Sequence, residues 1–242
     1  MKHIKKFETV AAFEAVQATL DKPNVSYVTE IGGVNYLPYN PFTNDPYIDD
    51  PKLVVIYNVT STEEDTFLFN NNYDMYIISM EIDGVELNEV VNTYRFNTIG
   101  EHVIKYEYLI DTFGEDQNPL GSLFSGSEQN DNNEIFAPQI TKIYIPSSIT
   151  GLGYGGGYTF IYDIYLEFIS LPNTISAISC RTFYNCSNLS TIRCNNMIAP
   201  QIEDNDIFEN ISQTGTLYVP TGATGYDTWL TELGAGWTKV EF

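Results

Sequence analysis

Ile143-Tyr144-Ile145-Pro146-Ser147-Ser148-Ile149-Thr150-Gly151-Leu152 is followed, 26 residues on, by Ile169-Ser170-Leu171-Pro172-Asn173-Thr174-Ile175-Ser176-Ala177-Ile178. The aliphatic positions and the proline coincide. A second register, at an offset of 23, pairs Thr159-Phe160 with Thr182-Phe183, Leu166 with Leu189, Ile169 with Ile192 and Leu171 with Cys194. The three-residue difference falls in the glycine-rich run from Gly151 to Gly157. A last partial copy, Leu217-Tyr218-Val219-Pro220, begins 25 residues after Ile192. Self-similarity with a period in the mid-twenties is the signature of a solenoid. Each unit supplies a short strand with alternate side chains inward, a turn begun by proline, and a Phe and Leu behind the strand. One unit cannot close a core, but a stack can.

Working outward from the repeat, Leu53–Asp111 reads as strands throughout: Leu53–Thr60, Thr66–Phe69, Met75–Ile82, Thr93–Phe96 and His102–Ile110, rich in Val, Ile, Tyr and Phe. Asp83-Gly84 marks a tight turn between two of these runs. Short strands at this spacing predict a small antiparallel β-sandwich or open barrel. In the last strand Ile104, Tyr106, Tyr108 and Ile110 share the face expected to point to the core. Further upstream, Val10, Phe13, Val16, Gln17 and Leu20 recur at helical spacing until Asp21 and Pro23, and predict a short amphipathic helix over Thr9–Leu20. Val25–Thr29 and Val34–Pro38, joined through Gly32-Gly33, predict a hairpin. One helix and one hairpin bury too little apolar area to stand alone, so this segment needs something to pack on. The stretch 112–134 is polar and rich in Gly, Asn and Ser, and reads as a loop or linker.

The fold class is therefore mainly β. An N-terminal helix and hairpin occupy residues 1–45 and a small antiparallel β-sandwich residues 46–115. A polar linker spans 116–137, and a short repeat solenoid with a cap fills 138–242.

With 32 acidic and 11 basic residues, the net charge of −21 repels phosphate backbones and anionic membrane faces, which removes nucleic acid from the expected partners. No run is long and apolar enough to predict a membrane-spanning helix, and Glu8 and Glu14 interrupt the place where a signal peptide carries its apolar region. Cys180, Cys186 and Cys194 match no zinc spacing, and read as small apolar fillers of the repeat core made in a reducing cytoplasm.

No catalytic constellation is legible. Nucleophilic catalysis needs a Ser or Cys with a His within reach, yet the only histidines are His3 in the N-terminal segment and His102, read as an ordinary strand residue of the β domain. The run Gly151–Gly157 lacks the Lys-Ser/Thr ending of a phosphate loop. The acidic clusters Asp45–Asp50, Asp131–Glu134 and Glu203–Asp206 lack the spacing of a calcium-binding loop and read as solvated surface. The expectation is no catalytic, cofactor or metal residues.

The element Phe183-Tyr184-Asn185-Cys186-Ser187-Asn188-Leu189 with Ile192, and Ile169–Ile178 before it, resembles the BspA-like leucine-rich repeats of gut bacteria and their phages. This sequence departs from that pattern at Asp163, which stands where the next unit has Cys186. The segment from Lys5-Lys6-Phe7-Glu8 to Tyr36-Leu37-Pro38-Tyr39 looks like the N-terminal segment on structural proteins of Bacteroides-infecting, crAss-like phages. That resemblance implies a virion-attachment segment at 1–45, with Phe7, Phe13, Val16, Leu20, Tyr27 and Tyr36 as its docking residues. It further implies a head fibre or capsid decoration protein, made in the host cytoplasm, with capsid or other virion proteins as partners and a dimer or trimer as its assembly. The repeat would then face a host-surface glycan or protein, with exposed Tyr144, Tyr158, Tyr162, Tyr165 and Arg193 as candidate receptor contacts. A bacterial surface adhesin is the alternative reading, and a tail-associated receptor-binding or glycan-degrading protein a further one.

Overall fold

The computed structural model describes residues 3–7, 25–29, 42, 45–69, 77–108, 124, 127–129, 134–136, 138–153, 159–179, 181–202 and 206–242. They fall into two compact units, one of residues 1–46 with Glu241–Phe242 and one of Tyr47–Val240.

In the first unit β1 (His3–Phe7) pairs in parallel with β2 (Val25–Thr29). The strand expected at Val25–Thr29 is present, and its described partner is β1, which the sequence did not suggest. The helix expected over Thr9–Leu20 and the second hairpin strand at Val34–Pro38 lie outside the described residues. Phe42 meets Phe242 edge-on, with centroids 5.9 Å apart.

The second unit is mainly β, with a large sheet that leads into a C-terminal β-solenoid of about four turns. Its antiparallel part comprises β3 (Leu53–Val59), β5 (Ile77–Ile82), β6 (Val85–Glu86) and β8 (Gly100–Tyr108). A separate two-stranded piece is made by β4 (Thr66–Phe67) and β7 (Thr93–Tyr94). The turn expected at Asp83-Gly84 joins β5 to β6, with φ of 50° and 82°. Positive φ at both central residues suits the right-handed twist of a two-residue hairpin, and Asp-Gly supplies it with little strain. Ile104 and Tyr106 are fully buried on the expected face of β8, because alternate residues of a strand share one side.

Along the chain come β9 (Ser127–Gln129) and β10 (Glu134–Phe136), an antiparallel pair. The solenoid strands are β11 (Ile140–Tyr144), β13 (Phe168–Leu171), β15 (Thr191–Cys194) and β17 (Gly215–Val219), in parallel order. Its second side is a parallel sheet of β12 (Gly151–Leu152), β14 (Ala177–Ile178) and β16 (Gln201–Ile202). Register matches the repeat read from sequence: Ile143 lies opposite Ile169, Ile169 opposite Ile192, Leu171 opposite Cys194, and Ile192 opposite Leu217.

The first solenoid strand, β11, also pairs antiparallel with β3, Ile143 opposite Val55 and Tyr144 opposite Val54. Nine strands thus run in one sheet from β6 to β18 (Trp237–Glu241). The two segments read as separate from sequence share this sheet and a single core cluster. The stretch 116–137, expected as a polar linker, needs correcting: it holds β9 and β10, and its Phe124 is fully buried. The Phe124 ring stacks on Phe160 at 6.3 Å and 12°, Phe160 on Phe183 at 5.6 Å and 12°, and Phe183 on Phe208 at 5.7 Å and 4°. The aromatic column thus begins before the first recognisable repeat, and it ends against Trp229 at 5.5 Å.

Cys186 and Cys194 are free and buried, as fillers of the core. Between β15 and β16 the offset from the preceding coil grows from 23 to 24, and Met197 and Ile198 in this stretch are exposed. The far end is closed by α1 (Asp227–Leu233), an element the sequence reading did not separate from the closing segment. Tyr226, Trp229 and Trp237 are buried there. Trp229 Nε1 donates to the Pro200 carbonyl at 3.0 Å, Trp237 Nε1 to Ser212 at 2.9 Å, and the Tyr226 hydroxyl to Asn196 at 2.9 Å. Buried tryptophan and tyrosine need such partners for their polar ends.

Candidate functional site

The third side of the solenoid, between the second sheet and the next strand, is built of tight turns. Backbone bonds hold it coil upon coil: Phe160 N–H donates to Thr182, Tyr162 to Tyr184, Phe183 to Ile207 and Asn185 to Glu209, at 2.9–3.0 Å. Three successive coils turn a corner at the same place in left-handed backbone, Tyr162 at φ 61°, Asn185 at φ 61° and Asn210 at φ 59°. Asn suits such a corner because its short polar side chain tolerates that conformation.

The side chains at these corners make a polar and aromatic strip. Asn210 Nδ2 donates to Asn185 Oδ1 at 2.8 Å. Tyr162 and Tyr184 meet edge-on at 5.9 Å, and the Arg181 guanidinium lies 5.2 Å from the Tyr184 ring centre. Arg181 Nε donates to Asp206 Oδ2 at 2.6 Å, which fixes the plane of the guanidinium. Tyr165, three residues past the first corner, is 43% exposed. Tyr162, Tyr184 and Asn185 are partly exposed, and Arg181, Ser187, Asn188, Glu209 and Asn210 face solvent.

Nothing among protein-family models, curated proteins or solved structures matches this chain. The strip has to be read from its own chemistry.

Of the candidate receptor contacts, Tyr162 and Tyr165 lie on this strip. Tyr158 lies outside the described residues. Tyr144 and Arg193 are corrections, because both are buried instead of exposed. They occupy the reverse face of the large sheet, where Val54, Ile56 and Tyr144 form a small core of their own, covered by Tyr47 and Ile48 and flanked by Val103 and Phe168. Tyr144 packs 5.5 Å from Tyr47 and 5.2 Å from Phe168. Arg193 sits between Ser170 and Tyr218 across neighbouring strands, and its Nη1 donates to Ser170 Oγ at 3.1 Å. Alternation along a strand predicts the side on which a residue lies, but not whether another layer covers that side. Among the candidate docking residues, Phe7 lies in β1 and Tyr27 in β2, whereas Phe13, Val16, Leu20 and Tyr36 lie outside the described residues. The sequence reading missed Arg181, Tyr184, Asn185 and Asn210. For Asn185 and Asn210 a signal was present in the register, since Tyr162, Asn185 and Asn210 recur at offsets of 23 and 25.

Two further groups bear on chemistry. His102 is buried, with Nδ1 2.6 Å from Asp83 Oδ2 and Nε2 2.9 Å from the Thr98 carbonyl oxygen, so its ring ties the Asp83-Gly84 turn to the start of β8. Asp163 is fully buried, and both its carboxylate oxygens lack a hydrogen-bond partner among the described residues. Burial pushes its carboxyl well above the ordinary carboxylate range. The neighbouring Cys186 thiol, which donates to the Phe160 carbonyl at 2.9 Å, is pushed up by burial and by the Asp163 charge. Of the acidic cluster Asp45–Asp50, Asp50 is engaged, accepting from Lys105 Nζ at 2.6 Å and from Lys52 N–H at 2.9 Å. Among the described residues no group of three or more His, Cys, Asp or Glu is placed to hold a metal ion.

Proposed function

We propose that this chain is a non-enzymatic structural and recognition protein of a phage particle, a head fibre or capsid decoration protein. In this reading residues 1–45 dock on capsid or other virion proteins, the assembly is a dimer or trimer, and the solenoid is a short BspA-like leucine-rich-repeat array turned towards a host-surface glycan or protein. The antiparallel strands before it act as a sandwich-like spacer. The observation that carries the reading is the nine-stranded sheet, which binds spacer and solenoid into one body and so holds the turn strip at a fixed orientation. Recognition sites are more effective on rigid elements, because less freedom is lost on binding. The engagement of His102 by Asp83 and Thr98 favours a structural role for that residue over a catalytic one.

The test is mass spectrometry and cryo-electron microscopy of purified particles of a phage that encodes the chain. The expected result is stoichiometric copies docked through residues 1–45 with the solenoid outward. Particles that lack the chain would refute the virion reading and move the surface adhesin into its place.

A further inference from the structure

Tyr162 occupies a position for which tyrosine is a poor choice. Its two counterparts in the following coils are Asn185 and Asn210, in the same left-handed backbone. For a bulky residue that conformation is strained, and strained residues persist where the side chain has a use that outweighs the strain. Nothing in the path of the chain requires a ring here, since the next two coils turn the same corner with asparagine. The ring is partly exposed, edge-on to Tyr184, with Arg181 over Tyr184 and exposed Tyr165 three residues further along the same coil. The hydrogen-bonded amides of Asn185 and Asn210 continue the strip along the coils.

The geometry points to a carbohydrate-binding strip formed by Tyr162, Tyr165, Arg181, Tyr184, Asn185 and Asn210, which takes an uncharged glycan. This deepens the recognition role proposed above and rests on it. A pyranose ring offers a flat patch of C–H groups edged by hydroxyls. Phenol rings meet such a patch by stacking, and tyrosine does so with few rotatable bonds to immobilise. Planar amides and a guanidinium held in place by Asp206 meet the hydroxyls with fixed donors and acceptors. Successive coils stand about 4.8 Å apart, as neighbouring strands do, so contacts repeat along a linear chain of sugars.

Charge and composition select among partners. A net charge of −21 opposes a polyanionic glycan or a nucleic acid. Tyrosine and arginine also anchor protein hot spots, but there they sit in well-packed pockets that desolvate fully. On this strip Tyr165 is the one large hydrophobic residue with substantial exposure among the described residues, and its surroundings are amides and hydroxyls.

The experiment is affinity electrophoresis of the full chain in gels containing mannan, xylan, galactan or glucan, with hyaluronan as the anionic control. The variants are Tyr162→Asn, which installs the residue used at the other two corners, and Tyr184→Leu, each with its melting temperature. Retardation by at least one neutral polysaccharide is expected, weakened about tenfold or more by Tyr162→Asn, as losing one well-placed ring contact implies. The Tyr162→Asn melting temperature should be unchanged or higher. Absence of retardation in every neutral gel, retardation by hyaluronan alone, or retardation that both variants leave intact would overturn the inference. A lower melting temperature for Tyr162→Asn with binding kept would also overturn it, by assigning the ring to the fold. Particles that contain the chain, together with no retardation, would refute the glycan assignment alone; retardation by a chain absent from particles would refute the virion location alone.

Discussion

Replacing Asp163 by cysteine, the residue its counterpart Cys186 uses one coil later, should stabilise the protein. Both Asp163 oxygens are buried without hydrogen-bond partners among the described residues. Leaving a buried polar group unsatisfied costs about 1–3 kcal/mol, whereas a thiol at such a site behaves as a small apolar filler. For a protein of this size each kcal/mol moves the melting temperature by roughly 2–4 °C, so Asp163→Cys should raise it by roughly 2–12 °C at neutral pH. The pH dependence makes the test sharper. The carboxyl is raised in the folded state above its unfolded value of about 3.9, so the folded state holds the proton more tightly. Its contribution to stability is fully present below about pH 4 and is lost as pH rises towards the folded value, at no more than about 1.4 kcal/mol per pH unit. The gap between variant and wild type should therefore be smallest near pH 4 and widen upward. Differential scanning calorimetry of both proteins from pH 4 to 8 at fixed ionic strength measures it. A variant that melts no higher than wild type at pH 7, or a gap that stays constant across the range, would refute the reasoning.

Three further outcomes follow from particular contacts. Gly153 has φ of 80°, and an added Cβ would lie 1.9 Å from the Ser179 carbonyl oxygen, whereas Gly84 at φ 82° has nothing within 4 Å. Gly84→Ala should cost about 1 kcal/mol of backbone strain and Gly153→Ala more than about 3 kcal/mol, read by urea unfolding; equal effects would contradict the close packing at that corner. Asn196 Nδ2 donates to the Asn173 and Ile175 carbonyls at 3.1 and 2.8 Å, so Asn196→Ala should destabilise by about 1–3 kcal/mol, and an unchanged denaturation midpoint would show that those carbonyls find other partners. Residues 138–242 expressed alone lose β3 and Phe124 and expose the edge of β11, so they should aggregate or unfold more readily than the full chain; a monodisperse, cooperatively melting fragment would show that the solenoid closes without them.

The solenoid was legible because its signal is periodic: Ile143, Ile169, Ile192 and Leu217 recur at spacings the strands reproduce in register. The core face of β8 and the filler role of Cys186 and Cys194 were legible for the same reason, since alternation and repetition are local properties of the chain. Phe124 was not, because an aromatic in a polar stretch without a period acquires its place only by stacking on a ring 36 residues away. The burial of Tyr144 and Arg193 depends on which other segments cover the reverse of the sheet, and strand patterning holds no record of that. The spacing of Tyr226, Trp229, Leu230 and Leu233 does carry the period of α1, but seven residues give it too few repeats to stand out. At the strip, Tyr165 was found through composition; Asn185 and Asn210 recur in the register, but that they turn a shared corner shows only in their left-handed backbone, and Arg181 and Tyr184 have no counterpart in the period.

Neither end of the solenoid is sealed by a coil of its own kind: β3 and Phe124 close one end, and α1 with β18 closes the other. Its reach is therefore an adjustable quantity. Duplicating one interior coil would leave both seals untouched, carry the cap outward by about 4.8 Å, and add one more corner to the strip. Gene duplication within the array can thus lengthen the proposed binding strip in even steps while the antiparallel strands before it, with their own contacts, stay as they are.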